Sequence, residues 1–307
     1  MSTFPVYIPK ILPRDENFVS GRRSCKGCGK ALSIRMISKM MGNKVILSSP
    51  AQDTSFPARY NQASTGFIWD EITSGDLTTS FVDRLITDNQ SRINAENAKR
   101  ATKAVVGIDR RIFSKDLLAL PEMFSGEKNV VYVCYDSEMY MNEMLKRSAP
   151  SLDAHHAPHD PTKEELQTFI RNKNIPAQVK DFAPAYSATA CPSCPLDLME
   201  KIKKALTVND TAFISVLTPC PTAWLFKQEL TDQLGDLAVT TGFYPLYEME
   251  GGTIQLTKHV AQPNPLSEYF KLQQRYLAFP PELLALLQEV TSEEYKKLVA
   301  HTTKKGV

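Results

Sequence analysis

Two uninterrupted apolar runs stand out along the chain, NVVYVCY at 129–135 and TAFISVL at 211–217. Continuous rather than alternating apolar runs suit strands of a parallel sheet that is covered on both faces. A shorter run, VIL at 45–47, reads as a buried strand broken by Ser48, Ser49 and Pro50. Elsewhere apolar residues return at helical spacing. Leu32, Ile34, Met36, Ile37, Met40 and Met41 predict a helix from about Lys30 to Met41, stopped by Gly42. Further helices are predicted over 76–104, over 117–124 with Gly126 ending it, and over 164–173, 196–206 and 281–300. Residues 1–24 read as an irregular, Pro-containing arm, 53–75 as a loop rich in aromatic, Ser and Gly residues, and 149–162 as a Pro- and His-rich loop.

Strands alternating with helices predict an α/β fold: a parallel sheet with helices on both faces and ligands at the carboxyl ends of the strands. We divide the chain into an α/β domain over 1–254 and a more polar extension over 255–307, expected to contact another subunit. No internal repeat or low-complexity tract interrupts this plan.

Composition narrows the partners. With 307 residues and 42% hydrophobic residues, the chain has material for a sizeable core. The net charge is only +2, and Lys and Arg form no basic run, so nucleic acid is not an expected partner. No apolar stretch is long enough to cross a bilayer, and the opening MSTFPVYIPK lacks the pattern of a signal peptide, so membrane insertion is not expected and a cytoplasmic location is. In a reducing compartment six cysteines do not read as a disulfide framework. Four of them form two C-x-x-C pairs, Cys25/Cys28 and Cys191/Cys194, which points to metal or redox chemistry.

Three segments sit where such a fold puts its chemistry: SCKGCG at 24–29, YDSEMYMN at 135–142 and TPCPT at 218–222. In the first, Gly27 and Gly29 allow close backbone approach, and free N–H groups at a helix start favour an anion. Cys25 and Cys28 offer two thiolates for iron–sulfur, and Cys220, followed by Pro221, offers a third at a strand end.

These segments lie in four blocks that resemble, in order, the beta subunit of pyruvate and related 2-oxoacid:ferredoxin oxidoreductases. The blocks are SGRRSCKGCGKAL, VVYVCYDSEMYMNEMLKRSAP, YSATACPSCPLDLMEKIKKAL and ISVLTPCPTAWLFKQELTDQLGDLAVTTGFYPLYEMEGG. Together they cover most of residues 20–252, with a weak middle from 54 to 108. The resemblance implies a thiamine-diphosphate-binding fold, with the cofactor held through Mg²⁺. Carried over, Asp109, which lies 28 residues before Ser137, binds the metal with the Ser137 hydroxyl and the Met139 carbonyl. Such hard oxygen ligands suit Mg²⁺. Asn142 matches an asparagine facing the reactive end of the cofactor, and Gly27, Cys28, Gly29 and Arg110 complete the expected cofactor-binding set.

The implied reaction is the coenzyme-A-dependent oxidative decarboxylation of a 2-oxoacid, with electrons passed to an iron–sulfur cluster and on to ferredoxin or another acceptor. Pyruvate is the first choice of substrate, with phenylglyoxylate or oxalate as alternatives. The carboxylate that activates the cofactor belongs to another domain in this family. Subunits of alpha, gamma and delta types are therefore expected, and the chain alone should be inactive.

Two departures qualify the resemblance. The family's G-D-G-G is Ile108-Asp109-Arg110-Arg111 here, so two guanidinium groups replace bare backbone. They offer phosphate a bidentate partner or else block the cofactor. The alternative is thus a non-catalytic scaffold subunit that has lost thiamine diphosphate. The family's third cysteine falls on Asp53, so a [4Fe-4S] cluster is expected at Cys25, Cys28, Asp53 and Cys220, with a hard oxygen on one iron. Cys191 and Cys194 read as a redox pair, a metal clamp or, by preference, tight packing. Cys134 reads as core. His155, His156 and His159 read as a solvated subunit-contacting loop rather than a zinc site.

Overall fold

The structure is a computed structural model that describes residues 25–41, 45–50, 68–72, 103–110, 130–139, 141, 161–179, 182–208, 210–277 and 279–302. For 41, 45–50, 68–72, 103, 104, 106 and 109 the description is of the backbone alone.

The described strands form one eight-stranded sheet in the order β2-β1-β3-β4-β6-β5-β7-β8. They are β1 (Val45–Pro50), β2 (Ile68–Ile72), β3 (Lys103–Asp109), β4 (Val130–Asp136), β5 (Tyr186–Ala190), β6 (Ala212–Leu217), β7 (Tyr247–Glu250) and β8 (Thr253–Leu256). The run from β2 to β5 is parallel throughout, and β4 and β6 lie at the centre of the eight strands. Every residue of β4 and β6 is buried, as their continuous apolar runs require.

The expected parallel sheet carries an antiparallel edge, which β7 and β8 add. Gly251 and Gly252 turn this hairpin with φ of +53° and +77°, the left-handed pair that a tight two-residue hairpin demands. Strand β5 also escapes the sequence reading. Its residues YSATA are small or polar, yet all five are buried, so its neighbours rather than its own hydrophobicity make it a central strand.

Three boundaries change. The strand predicted over 45–47 continues to Pro50, since Ser48, Ser49 and Pro50 pair with Asp70, Glu71 and Ile72. Pairing with β3 stops at Ser48, so Pro50, which has no N–H, comes where the ladder to that neighbour has already stopped. The loop predicted over 53–75 contains β2, whose acidic residues are tolerated at a sheet edge. The helix predicted over 76–104 gives way to β3 at Lys103, and its remainder lies outside the described residues, as does the predicted helix over 117–124.

Helices cover both faces. On one, α1 (Gly29–Met41) and α4 (Pro195–Thr207) set Ile34, Ile37, Leu198 and Ile202 against Val131, Val133, Tyr135, Ile214 and Val216. Alternation sends Val130, Tyr132, Cys134 and Asp136 to the opposite face. There α3 (Ile175–Val179) packs on β5 and β6, behind α2 (Lys163–Lys173). Helix α2 begins with a reciprocal capping box between Thr162 and Glu165.

A second core joins α5 (Pro221–Trp224) and α6 (Thr231–Thr240) to α7 (Leu266–Phe270) and α8 (Pro281–Ala300) through Trp224, Leu234, Phe243, Tyr269, Phe270 and Leu287. The boundary drawn at 254 therefore falls inside β8, and the helical part of 255–307 packs into this core. Among the described residues no helix is long and apolar enough to cross a membrane.

Candidate functional site

Strands β3 and β4 end side by side near the middle of the sheet. Asp109, the last residue of β3, is in register with Tyr135, and Ser137 follows the end of β4 directly. Adjacent parallel strands thus deliver Asp109 and Ser137 to one edge, where ligands of open α/β sheets collect. The Asp109 side chain lies outside the described residues, as do Asn142, Asp53 and the histidines at 155, 156 and 159.

The Ser137–Met139 turn is held rigidly. Glu138 takes a left-handed φ of +49°, uncommon for a side chain with a Cβ. Its amide donates to Asp136 Oδ1 at 2.8 Å, and its carboxylate is fully buried. That carboxylate meets Lys173 Nζ at 2.5 Å and Arg275 NH2 at 2.7 Å, and accepts from the Tyr269 hydroxyl at 3.1 Å. Arg275 NH1 also donates to the Glu138 carbonyl at 3.2 Å, and the Trp224 indole donates to the Ser137 carbonyl at 2.6 Å. Arg275 in turn stacks over the Trp224 ring. With these two carbonyls engaged inward, the turn presents Met139, 37% exposed, outward.

Burial pushes the Glu138 carboxyl up, but Lys173 and Arg275 outweigh it and hold it below the usual carboxylate range. Asp136 is pushed up to about 6, chiefly by burial, with Arg110 pulling the other way. Arg110 itself is buried and donates to the Asn172 carbonyl at 3.0 Å, so the guanidinium expected to meet phosphate is turned into the protein. Glu138, Lys173, Tyr269 and Arg275 were not expected from the sequence. The one available signal was an acidic residue two positions beyond a buried strand.

The cysteine loops are fastened to each other. The Gly29 amide donates to the Pro219 carbonyl at 3.0 Å, and the Cys28 amide to the Cys25 carbonyl at 3.2 Å. The expectation of free N–H groups in this loop fails at both positions, because the loop spends them on protein. The glycines follow from close packing. A Cβ on Gly29 would stand 2.7 Å from the Pro219 backbone; one on Gly27, with φ +72°, would stand 2.6 Å from the Gln228 carbonyl. Thr231 Oγ1 donates to the Gly27 carbonyl at 2.7 Å.

The fastening brings Cys25, Cys28 and Cys220 to one place. Thr222 Oγ1 lies 3.5 Å from Cys25 Sγ. The Cys28 thiol is pushed up first by burial and further by its neighbours Cys220 and Cys25. Among the described residues no three His, Cys, Asp or Glu side chains could hold a single metal ion. A cubane asks for something else, thiolates on separate irons, and three thiols on two interlocked loops fit that donor chemistry.

The second pair is packed into the fold. Cys191 is buried and pushed up to about 12 by that burial, and Cys194 is half-buried with Lys258 Nζ 3.5 Å from its sulfur. A Cβ on Gly235 of α6 would stand 2.9 Å from Cys191 Sγ, so this glycine lets the helix approach. Cys134 is core.

No protein-family model matches the chain. It is 31% identical over 300 residues to pyruvate synthase subunit PorB of Methanothermobacter thermautotrophicus, covering 94% of this chain and 99% of that one. It is 29% identical over 296 residues to ketoisovalerate oxidoreductase subunit VorB of Pyrococcus abyssi, covering 94% of each. A solved 2-oxoglutarate:ferredoxin oxidoreductase from Magnetococcus marinus aligns over 70% of each chain at 18% identity with a TM-score of 0.42.

Proposed function

The chain belongs to the beta-subunit family of pyruvate synthase and related 2-oxoacid:ferredoxin oxidoreductases, and from that premise we propose that it carries the thiamine diphosphate of such a complex. The overall reaction converts a 2-oxoacid and coenzyme A to an acyl-CoA, CO₂, one proton and two electrons. Pyruvate is the proposed substrate, the 2-oxoacid in the name of relatives 30% and 31% identical to this chain.

The observation that carries the reading is the shared end of β3 and β4, with Asp109 the last residue of one and Ser137 directly after the other. Asp109, the Ser137 hydroxyl and the Met139 carbonyl are the proposed Mg²⁺ ligands, a hard oxygen set suited to that ion. Asn142 is the proposed contact at the reactive end. Thiamine diphosphate supplies the electron sink for decarboxylation. The chain's own part is to hold the metal ligands in register, which the ion pairs around Glu138 support by fixing the turn between Ser137 and Met139. Cys25, Cys28, Cys220 and Asp53 are the proposed ligands of a [4Fe-4S] cluster that takes the electrons. The other subunits are expected to supply the activating carboxylate and to pass electrons to ferredoxin or another acceptor.

The scaffold alternative rests on the side chains that replace glycine beside Asp109. The burial of Arg110 against Asn172 weighs against it, because that bulk is accommodated inside the protein. Analysis of the purified complex for thiamine, iron and sulfide decides. Close to one thiamine per copy of this chain is expected; a complex that carries iron but no thiamine establishes the scaffold role.

A further inference from the structure

Helices α2, α3 and α8 close over a cavity of about 490 Å³ against the end of β5 and the segment leading into β7. The volume is in the range of small-molecule sites. It contains neither the proposed metal ligands nor any cysteine. Its floor is aromatic, made by Phe243, Tyr244, Tyr247 and Tyr295, and Arg171 and Lys297 add two cations to the lining. The one rim carboxylate, Glu294, is already engaged by Arg171 at 3.3 Å and Lys297 at 2.7 Å.

Two polar groups of the lining have no partner in the protein. Thr291, 1% exposed, keeps an unpartnered Oγ1, and Gln178 donates through its amide nitrogen while its buried Oε1 accepts nothing. Buried groups of this kind are costly unless something satisfies them. Both can accept a hydrogen bond, so they ask for a donor such as a ring N–H.

We propose that this cavity is a binding site for a small aromatic or heteroaromatic acid, its flat ring on the tyrosines and phenylalanine, a ring N–H on Gln178 or Thr291, and its anionic group at Arg171 and Lys297. The site stands one residue from the metal-binding turn. Lys173 lines the cavity over the Phe243 ring at 3.2 Å and pairs with Glu138, and Asn172, also of the lining, holds Arg110 next to Asp109.

The test is a titration of the purified complex with indole-3-acetate, an acid with a ring N–H, and with the uncharged 3-methylindole, read by ligand-observed magnetic resonance. The acid should bind, and the uncharged analogue at least tenfold more weakly. Ala177→Phe, which puts bulk into the cavity from a partly exposed position, should abolish binding of the acid. The exposed rim change Lys297→Glu should weaken it at least tenfold without touching the fold. Retention of the partner subunits checks assembly of both variants. No binding of the acid to the wild-type complex, or equal binding to wild type and both variants, overturns the proposal.

Discussion

Lys173 sets its Nζ 2.5 Å from Glu138 Oε1, with neither side chain open to solvent. Burial pulls the Lys173 amine below its usual range, opposed by the carboxylate beside it. Such a pair is worth little in net stability, since both charges give up water, but removing one partner strands the other. Lys173→Met should therefore destabilise the protein by about 3–5 kcal/mol. The surface change Lys163→Met, which removes ion pairs to Glu289 and Glu293, should cost far less, because solvent screens exposed pairs. Urea denaturation of the two variants compares them; equal losses would show that the buried network does not hold the turn.

Asp109 ends β3, and Ser137 directly follows the end of its neighbour β4. Asp109→Ala should strip thiamine diphosphate from the complex while leaving it assembled, because the metal loses its anionic ligand. Thiamine content and subunit composition of the variant are the readouts, and full occupancy rules Asp109 out as a ligand.

Gly29 has no room for a Cβ against Pro219. Gly29→Ala should force the two cysteine loops apart, cost about 1–3 kcal/mol and lower the iron content of the complex. Gly251 is the comparison: its φ is +53° and nothing lies within 4 Å of an added Cβ. Gly251→Asn, which tolerates that conformation, should leave stability and iron unchanged within about 0.5 kcal/mol.

Asp53 is the proposed fourth ligand of the cluster. A carboxylate holds iron less firmly than a thiolate, so the cluster should convert to a three-iron form under mild oxidation. Asp53→Cys should give an oxidation-resistant cluster of shifted potential. Electron paramagnetic resonance on oxidised wild type and variant is the measurement; identical signals and sensitivity mean that Asp53 is no ligand.

Cys191 and Cys194 read as packing, and their reactivity should follow. Burial raises the Cys191 thiol to about 12, so at pH 8 almost none of it is thiolate, the nucleophilic form. Iodoacetamide should leave Cys191 unmodified until the protein is denatured, at pH 8 and at pH 10 alike. Rapid labelling of Cys191 in the native complex, located by peptide mass spectrometry, would contradict the packing role.

What the sequence determined by itself is local or strongly patterned. The apolar runs of β4 and β6 announced central strands, because a strand covered on both faces can hold little else. The helical spacing of 164–173 and 281–300 matched α2 and α8 to within a residue. The C-x-G-C-G and T-P-C-P motifs marked Cys25, Cys28 and Cys220 as candidate ligands, since ligand chemistry is carried by residue type. Tertiary structure alone decided the rest. Strand β5 is a strand because β6 and β7 pair with it, and β2 because β1 does, whatever their polarity. The ion pairs of Glu138 join residues 35 and 137 positions away, with no spacing rule to foretell them. Arg110, whose charge suggested phosphate, is claimed instead by a carbonyl 62 residues along the chain. A side chain's type says what it can bind, but which partner it meets is settled by packing, where a buried charge must be answered by whatever the fold brings next to it.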